Sequence, residues 1–190
     1  MKEPVMNHSQ TSNGCSVIRL TLTSVVSLLL AACSSLRAEP NNDNRAPDVP
    51  TAIQTPGTTN KVHFHAYAVG VQIYDWNGTA WVFRAPEAVL LDADGNPVGI
   101  HYAGPTWETE SGSKVVGARV ASAPSSSSNS IPQLLLKAVS SEGPGVLKGT
   151  TYIQRVNTVG GVAPGNPGTI VGEEARVAYL AEYFFYREQK

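Results

Sequence analysis

Asp94-Gly95-Asn96-Pro97-Val98-Gly99-Ile100-His101-Tyr102-Ala103-Gly104-Pro105-Thr106-Trp107-Glu108, carried on by Ser111-Gly112-Ser113-Lys114-Val115-Val116-Gly117, is the stretch that decides the fold. Asp-Gly, Gly-Pro and Ser-Gly are turn dipeptides: glycine reaches positive φ at no steric cost, and proline fixes its own φ. Between them lie short runs of β-branched and aromatic residues, which suit a pleated, half-buried surface. The spacing predicts antiparallel strands at about 98–103, 106–110 and 113–121. The stretch also holds the most unusual local cluster of the chain: His101, Tyr102, Trp107 and Glu108.

Upstream, Val62 to Tyr74 reads as one strand. Val62, Phe64, Ala66, Ala68, Gly70, Gln72 and Tyr74 share one face, and His63, His65, Tyr67, Val69, Val71 and Ile73 the other. Neither face is cleanly polar, as expected of a strand in a closed barrel or between two covering layers. Asp75-Trp76-Asn77-Gly78 is a tight turn, and Trp81-Val82-Phe83 a short strand that Arg84 to Glu87 interrupt before Ala88 to Asp92 resume it. Downstream, Pro124 to Asn129 is a serine-rich surface loop. Ile131 to Val139 forms a strand whose start Pro132 holds at an edge, and Val146 to Val156 forms another. Asn157 to Gly172, dense in Gly and Pro, is a long loop. In Ala175 to Tyr186 a helical spacing of Val177, Leu180 and Phe184 competes with the alternation of Val177, Tyr179, Ala181, Tyr183 and Phe185. The aromatic weight favours strand. The expectation is a single all-β domain over residues 61–190, an antiparallel β-sandwich or barrel.

The N-terminal part reads as an address. Lys2 and Arg19 carry positive charge, Leu20 to Leu30 form an apolar run too short to span a bilayer, and small residues follow. Leu30-Ala31-Ala32-Cys33 resembles the lipobox of bacterial lipoprotein signals. That resemblance implies cleavage after residue 32, diacylglycerol on Cys33, and, with Ser34 next, the periplasmic side of an outer membrane. The alternative is an ordinary signal peptide that happens to contain a cysteine. Removal of residues 1–32 also removes Cys15, so the domain stands without a disulfide. Residues 33–60, rich in Pro, Asn, Ala and Thr, read as a flexible tether.

Two of the 14 basic and one of the 15 acidic residues lie in the signal, which leaves 12 and 14 and a net charge near −2. No basic surplus exists to grip phosphates, so no nucleic-acid partner is expected.

The region from about Gly70 to Tyr186 resembles domain-of-unknown-function family 3455, found in bacteria and fungi. The resemblance rests on Gly70-Val71-Gln72-Ile73-Tyr74, on Pro86-Glu87-Ala88-Val89-Leu90, on Gly99 to Glu108, on Gly112-Ser113-Lys114-Val115, on Ile131-Pro132-Gln133-Leu134-Leu135-Leu136, on Ile153 to Pro164 and on Val177 to Tyr186. It implies no activity. The family pattern has a cysteine soon after the Gln-x-Tyr and another after the Ala-Pro; this chain has Trp76 and Pro167 there, which fits a disulfide of relatives that is absent here. Some fungal members carry a malate-dehydrogenase label. No strand, glycine fingerprint and helix unit supports it, since Gly160, Gly161 and Gly165 sit in the Pro-rich loop, so no dinucleotide is expected.

Several residues invite chemistry. His63 and His65 could bind a metal with His101 or Glu108, but paired histidines on a strand are more often satisfied by hydrogen bonds, and no metal is assigned. His101 with Glu108 could form a general base and its orienter, against a buried histidine donating to backbone. Glu108 and Glu110 could act as paired carboxylates, although such pairs commonly serve solubility. Trp81, Trp107, Tyr67, Tyr74, Tyr102 and Tyr183 could line a pocket or form the core. Arg155 is a partner of Glu87 or a ligand-binding group.

The candidate pocket is thus His101, Tyr102, Trp107, Glu108 and Arg155, with Cys33 as lipidation site. The reading is a cell-envelope lipoprotein that binds a small ligand or an envelope component, needs no cofactor, and has a hydrolase-like enzyme working near His101, Trp107 and Glu108 as its alternative.

Overall fold

Eight strands, each bonded to the next in sequence and the last to the first, close into an antiparallel barrel. A computed structural model describes residues 45–189; the signal and Cys33 lie outside them. The strands are β1 (Asn60–Trp76), β2 (Trp81–Leu91), β3 (Pro97–Tyr102), β4 (Thr106–Thr109), β5 (Lys114–Ala123), β6 (Gln133–Glu142), β7 (Thr150–Gly160) and β8 (Glu174–Glu188). The expected barrel is therefore present. The C-terminal segment is a strand rather than a helix, with Tyr179, Ala181, Tyr183 and Phe185 all in the core.

Alternation sorts the side chains. Ala66, Ala68, Leu90, Val115, Ile153 and Phe185 fill the interior and are almost fully shielded from water. Each large side chain buried in this way stabilises the fold by about 1.5–3 kcal/mol. The outer surface is less regular. Val159, Leu180, Val69, Val89 and Ile100 stand in direct cross-strand register over five neighbouring strands, and all five are exposed. This aliphatic row is why neither face of β1 looks polar.

The two ends of the barrel differ. At the end where β1 begins and β6 finishes, the turn between β6 and β7 inserts Leu147, which is fully buried. Its backbone N–H donates to Ser113 Oγ at 3.0 Å, and its carbonyl accepts from Ser141 Oγ at 3.0 Å and Thr150 Oγ1 at 2.8 Å. That end is plugged. At the other end the wall is low, because β3 and β4 have only 6 and 4 residues against 17 in β1 and 15 in β8.

Three expectations need correction. The Trp81–Phe83 and Ala88–Asp92 segments are one strand, β2, with a bulge that sets Tyr74 opposite Phe83 and Ile73 opposite Ala85. Pro86 does not break it. It pairs with Gln72 of β1, and β3 pairs only from Ala88 onward, so Pro86 sits where β2 has a neighbour on one side only, a position that proline tolerates. The long loop starts later than Asn157. A second bulge, with Asn157 at φ 49°, carries β7 on to Gly160, where it still pairs with Tyr179.

Finally, the segment 45–53, expected to be tether, packs on the outside of the barrel. Val49 and Ile53, the latter in a single 3-10 turn (Thr51–Ile53), cover Val62, Leu135, Val156, Phe184 and Tyr186. The Ile53 carbonyl accepts from Gln154 Nε2 at 2.6 Å. Trp76 lies against Gly168, where a Cβ would meet its ring.

Candidate functional site

The low-walled end opens into a cavity of about 550 Å³, within the ~300–1,000 Å³ usual for small-molecule sites. β1 and β2 contribute Gln72, Tyr74, Phe83 and Pro86; the β3–β4 hairpin contributes His101, Pro105 and Trp107. β5 to β8 add Arg119, Leu134, Leu136, Arg155 and Tyr183. The walls are mostly aromatic and aliphatic, with polar groups at a few places.

The floor is built around Trp107. Antiparallel pairing sets it opposite His101, and the two rings stack at 4.4 Å and 9° between planes. Tyr183 meets both edge-on, at 5.0 and 5.2 Å between centroids. Gly117 leaves the space this requires, since a Cβ there would lie 3.1 Å from the Trp107 ring. His101 Nδ1 donates to the Thr106 carbonyl at 2.7 Å, which leaves Nε2 as an acceptor. Burial, with the Arg155 charge adding to it, lowers the His101 pKa to about 3, so the imidazole is neutral at pH 7.

Arg155 is the charge of the cavity whose field reaches His101 and the buried phenols. It lowers the pKa of Tyr74, His101, Tyr179 and Tyr183 through its field, although burial dominates in each and raises the three phenols. Its Nε and Nη2 both donate to the Pro132 carbonyl, at 3.2 and 2.9 Å. It is not the partner of Glu87, which lies outside the barrel in an ion pair with Arg176 at 2.8 Å. Around it sit polar atoms that are buried without a hydrogen-bond partner among the described residues: Gln72 Nε2, Trp107 Nε1 and the hydroxyls of Tyr179 and Tyr183. Gln72, Tyr179, Tyr183 and Arg155 approach closely enough to perturb one another, but none reaches good hydrogen-bond geometry with the next.

The cavity therefore brings together His101, Trp107 and Arg155 of the residues singled out from sequence. Tyr102 and Glu108 are elsewhere. Glu108 pairs with Ile100 in register, on the outer face, and accepts from Tyr102 OH at 2.7 Å. His101 and Glu108 are on opposite sides of one sheet, so the carboxylate cannot orient that imidazole. The histidine pair does not converge on them either: His63 Nε2 meets Thr150 Oγ1 at 3.2 Å, while His65 lies 3.1 Å from Glu182 and stacks on Phe184. Gln72 and Arg119 were not singled out from sequence. The signal for Gln72 was its place as the one amide among the inward residues of β1; Arg119 had none.

A family model described as "Protein of unknown function (DUF3455)" matches residues 56–187. No curated protein and no solved structure matches the chain.

Proposed function

Because the chain belongs to the DUF3455 family of proteins of unknown function, its role has to be read from its own cavity, and we propose that the barrel is a small-ligand binding module, carried as a lipid-anchored protein of the cell envelope. The observation that carries the binding reading is a cavity of about 550 Å³, open at one end, whose other end Leu147 plugs. A rigid barrel with an apolar interior and a few convergent polar groups binds without having to reorganise. Hydrolysis finds less support. His101 faces the cavity without a carboxylate beside it, and none of the lining residues is Asp or Glu. The anchoring reading is supported by Leu30-Ala31-Ala32-Cys33.

The neutral fluorophore naphthalenemethanol tests the binding reading. Titrated into the full chain, it is expected to quench tryptophan emission in a saturable, one-to-one manner, because Trp107 forms the cavity floor. Leu134→Trp, which fills the cavity from β6, is expected to abolish saturation. Identical behaviour of the two proteins would sink the proposal.

A further inference from the structure

We infer that the ligand of this cavity is an apolar molecule bearing one oxyacid group, held by Arg155 with Gln72 and Tyr183 at its side. The inference rests on the binding reading above and adds the chemistry of the occupant. Arg84, Arg119 and Arg155 line the cavity, and no acidic residue does. Arg84 is already neutralised by Asp75 and Glu174. Arg155 and Arg119 have no carboxylate partner among the described residues. A guanidinium presents five donors in a fixed fork, and the Pro132 carbonyl, which takes two of the five from Arg155, offers a dipole and no charge.

Gln72, Trp107 and Tyr183 are each at most 2 % exposed, and each has a polar atom without a partner. The Gln72 and Trp107 atoms are N–H groups that can only donate, and the Tyr183 hydroxyl can donate too. A buried donor left without an acceptor loses the hydrogen bond that water gave it, so an occupant rich in acceptors recovers what these groups lose. A carboxylate is such an occupant: it only accepts, at about four lone-pair positions, and it pairs with arginine in two parallel bonds. A cation or a donor-rich sugar face would leave these N–H groups and Arg155 opposed.

Phe83, Pro86, Pro105, Ile131, Leu134 and Leu136 offer no polar side-chain group, so the rest of the ligand is apolar. Arg119, exposed at the mouth, adds attraction on entry.

The test compares naphthoate with naphthalenemethanol by isothermal titration of the full chain at pH 7. The acid is expected to bind roughly tenfold to a hundredfold more tightly, in keeping with a hydrogen bond to a charged group, and added salt is expected to shrink the difference. Arg155→Gln is expected to reduce acid binding to the level of the alcohol while alcohol binding persists, which also shows that the variant is folded. Arg155→Lys is expected to recover the preference only in part. Equal affinity of acid and alcohol for the wild type would overturn this inference and leave the cavity reading standing. Acid preference retained by Arg155→Gln would overturn the assignment to Arg155. Binding of neither probe would remove both readings.

Discussion

His101 shows how one residue can be legible in identity and illegible in role. Its neighbours in sequence, Tyr102 and Glu108, invite a catalytic reading, yet strand alternation sends His101 inward and the other two outward. The parity of strand positions could have separated His101 from Glu108, but only once the turn between them was known to use Ala103-Gly104-Pro105. A burial-depressed histidine has a definite effect on stability. The unfolded chain protonates His101 near pH 6.5, the folded one only near pH 3. Between those values the unfolded state holds more protons, so stability rises with pH through that window and is fully present above it. His63, lowered to about 4 by burial and the Arg187 charge, acts in the same direction. Urea unfolding from pH 4 to 7 is expected to show stability rising by up to about 1.4 kcal/mol per pH unit from buried His101, with the half-buried His63 adding less because solvent screens it. His101→Gln is expected to flatten the slope; an unchanged slope would mean His101 titrates normally in the fold.

At the scale of elements, the turn-forming dipeptides placed most strand boundaries, because glycine and proline act locally. What escaped was set by neighbours. Arg84-Ala85-Pro86 looked like a break because a proline cannot serve a central strand, and it stays in β2 because that stretch has a partner on one side only. Asn157 looked like the start of a loop because Gly160, Gly161 and Pro164 follow closely. The segment 45–53 was polar enough to read as tether, yet Val49 and Ile53 are buried against the barrel. Ile53 thus carries more than its surroundings suggest. Ile53→Ala is expected to cost about 2–4 kcal/mol, near the range for emptied core positions, seen as a lowered urea midpoint. Naphthalenemethanol affinity should not change, because Ile53 packs on the outside of the wall. Loss of binding at full stability would show instead that the segment shapes the cavity.

At the scale of the molecule, the all-β class was written in the punctuation of the chain, but closure was not, since β1 and β8 are far apart in sequence. The cavity was legible only in part: His101, Trp107 and Arg155 stood out, but Gln72 did not, because Gln72, Trp107, Arg155 and Tyr183 come from four strands and share no local motif. The anchor belongs to this scale too. Cells fed a palmitate analogue are expected to label the wild-type chain and not Cys33→Ala; label on the variant would remove the lipoprotein proposal.

The ring also orders events in time. Neighbouring strands can zip as hairpins while the chain is still being made, but the seam between β1 and β8, the longest ladder in the barrel, waits for the last strand to leave the ribosome. Until then the first seven strands can form only an open sheet with two raw edges, a template for pairing with other chains. Completion removes both edges at once. Once the last strand is in place, the β1–β8 seam is closed along its whole length, and the stretch of β2 before Ala88 keeps a partner on one side only.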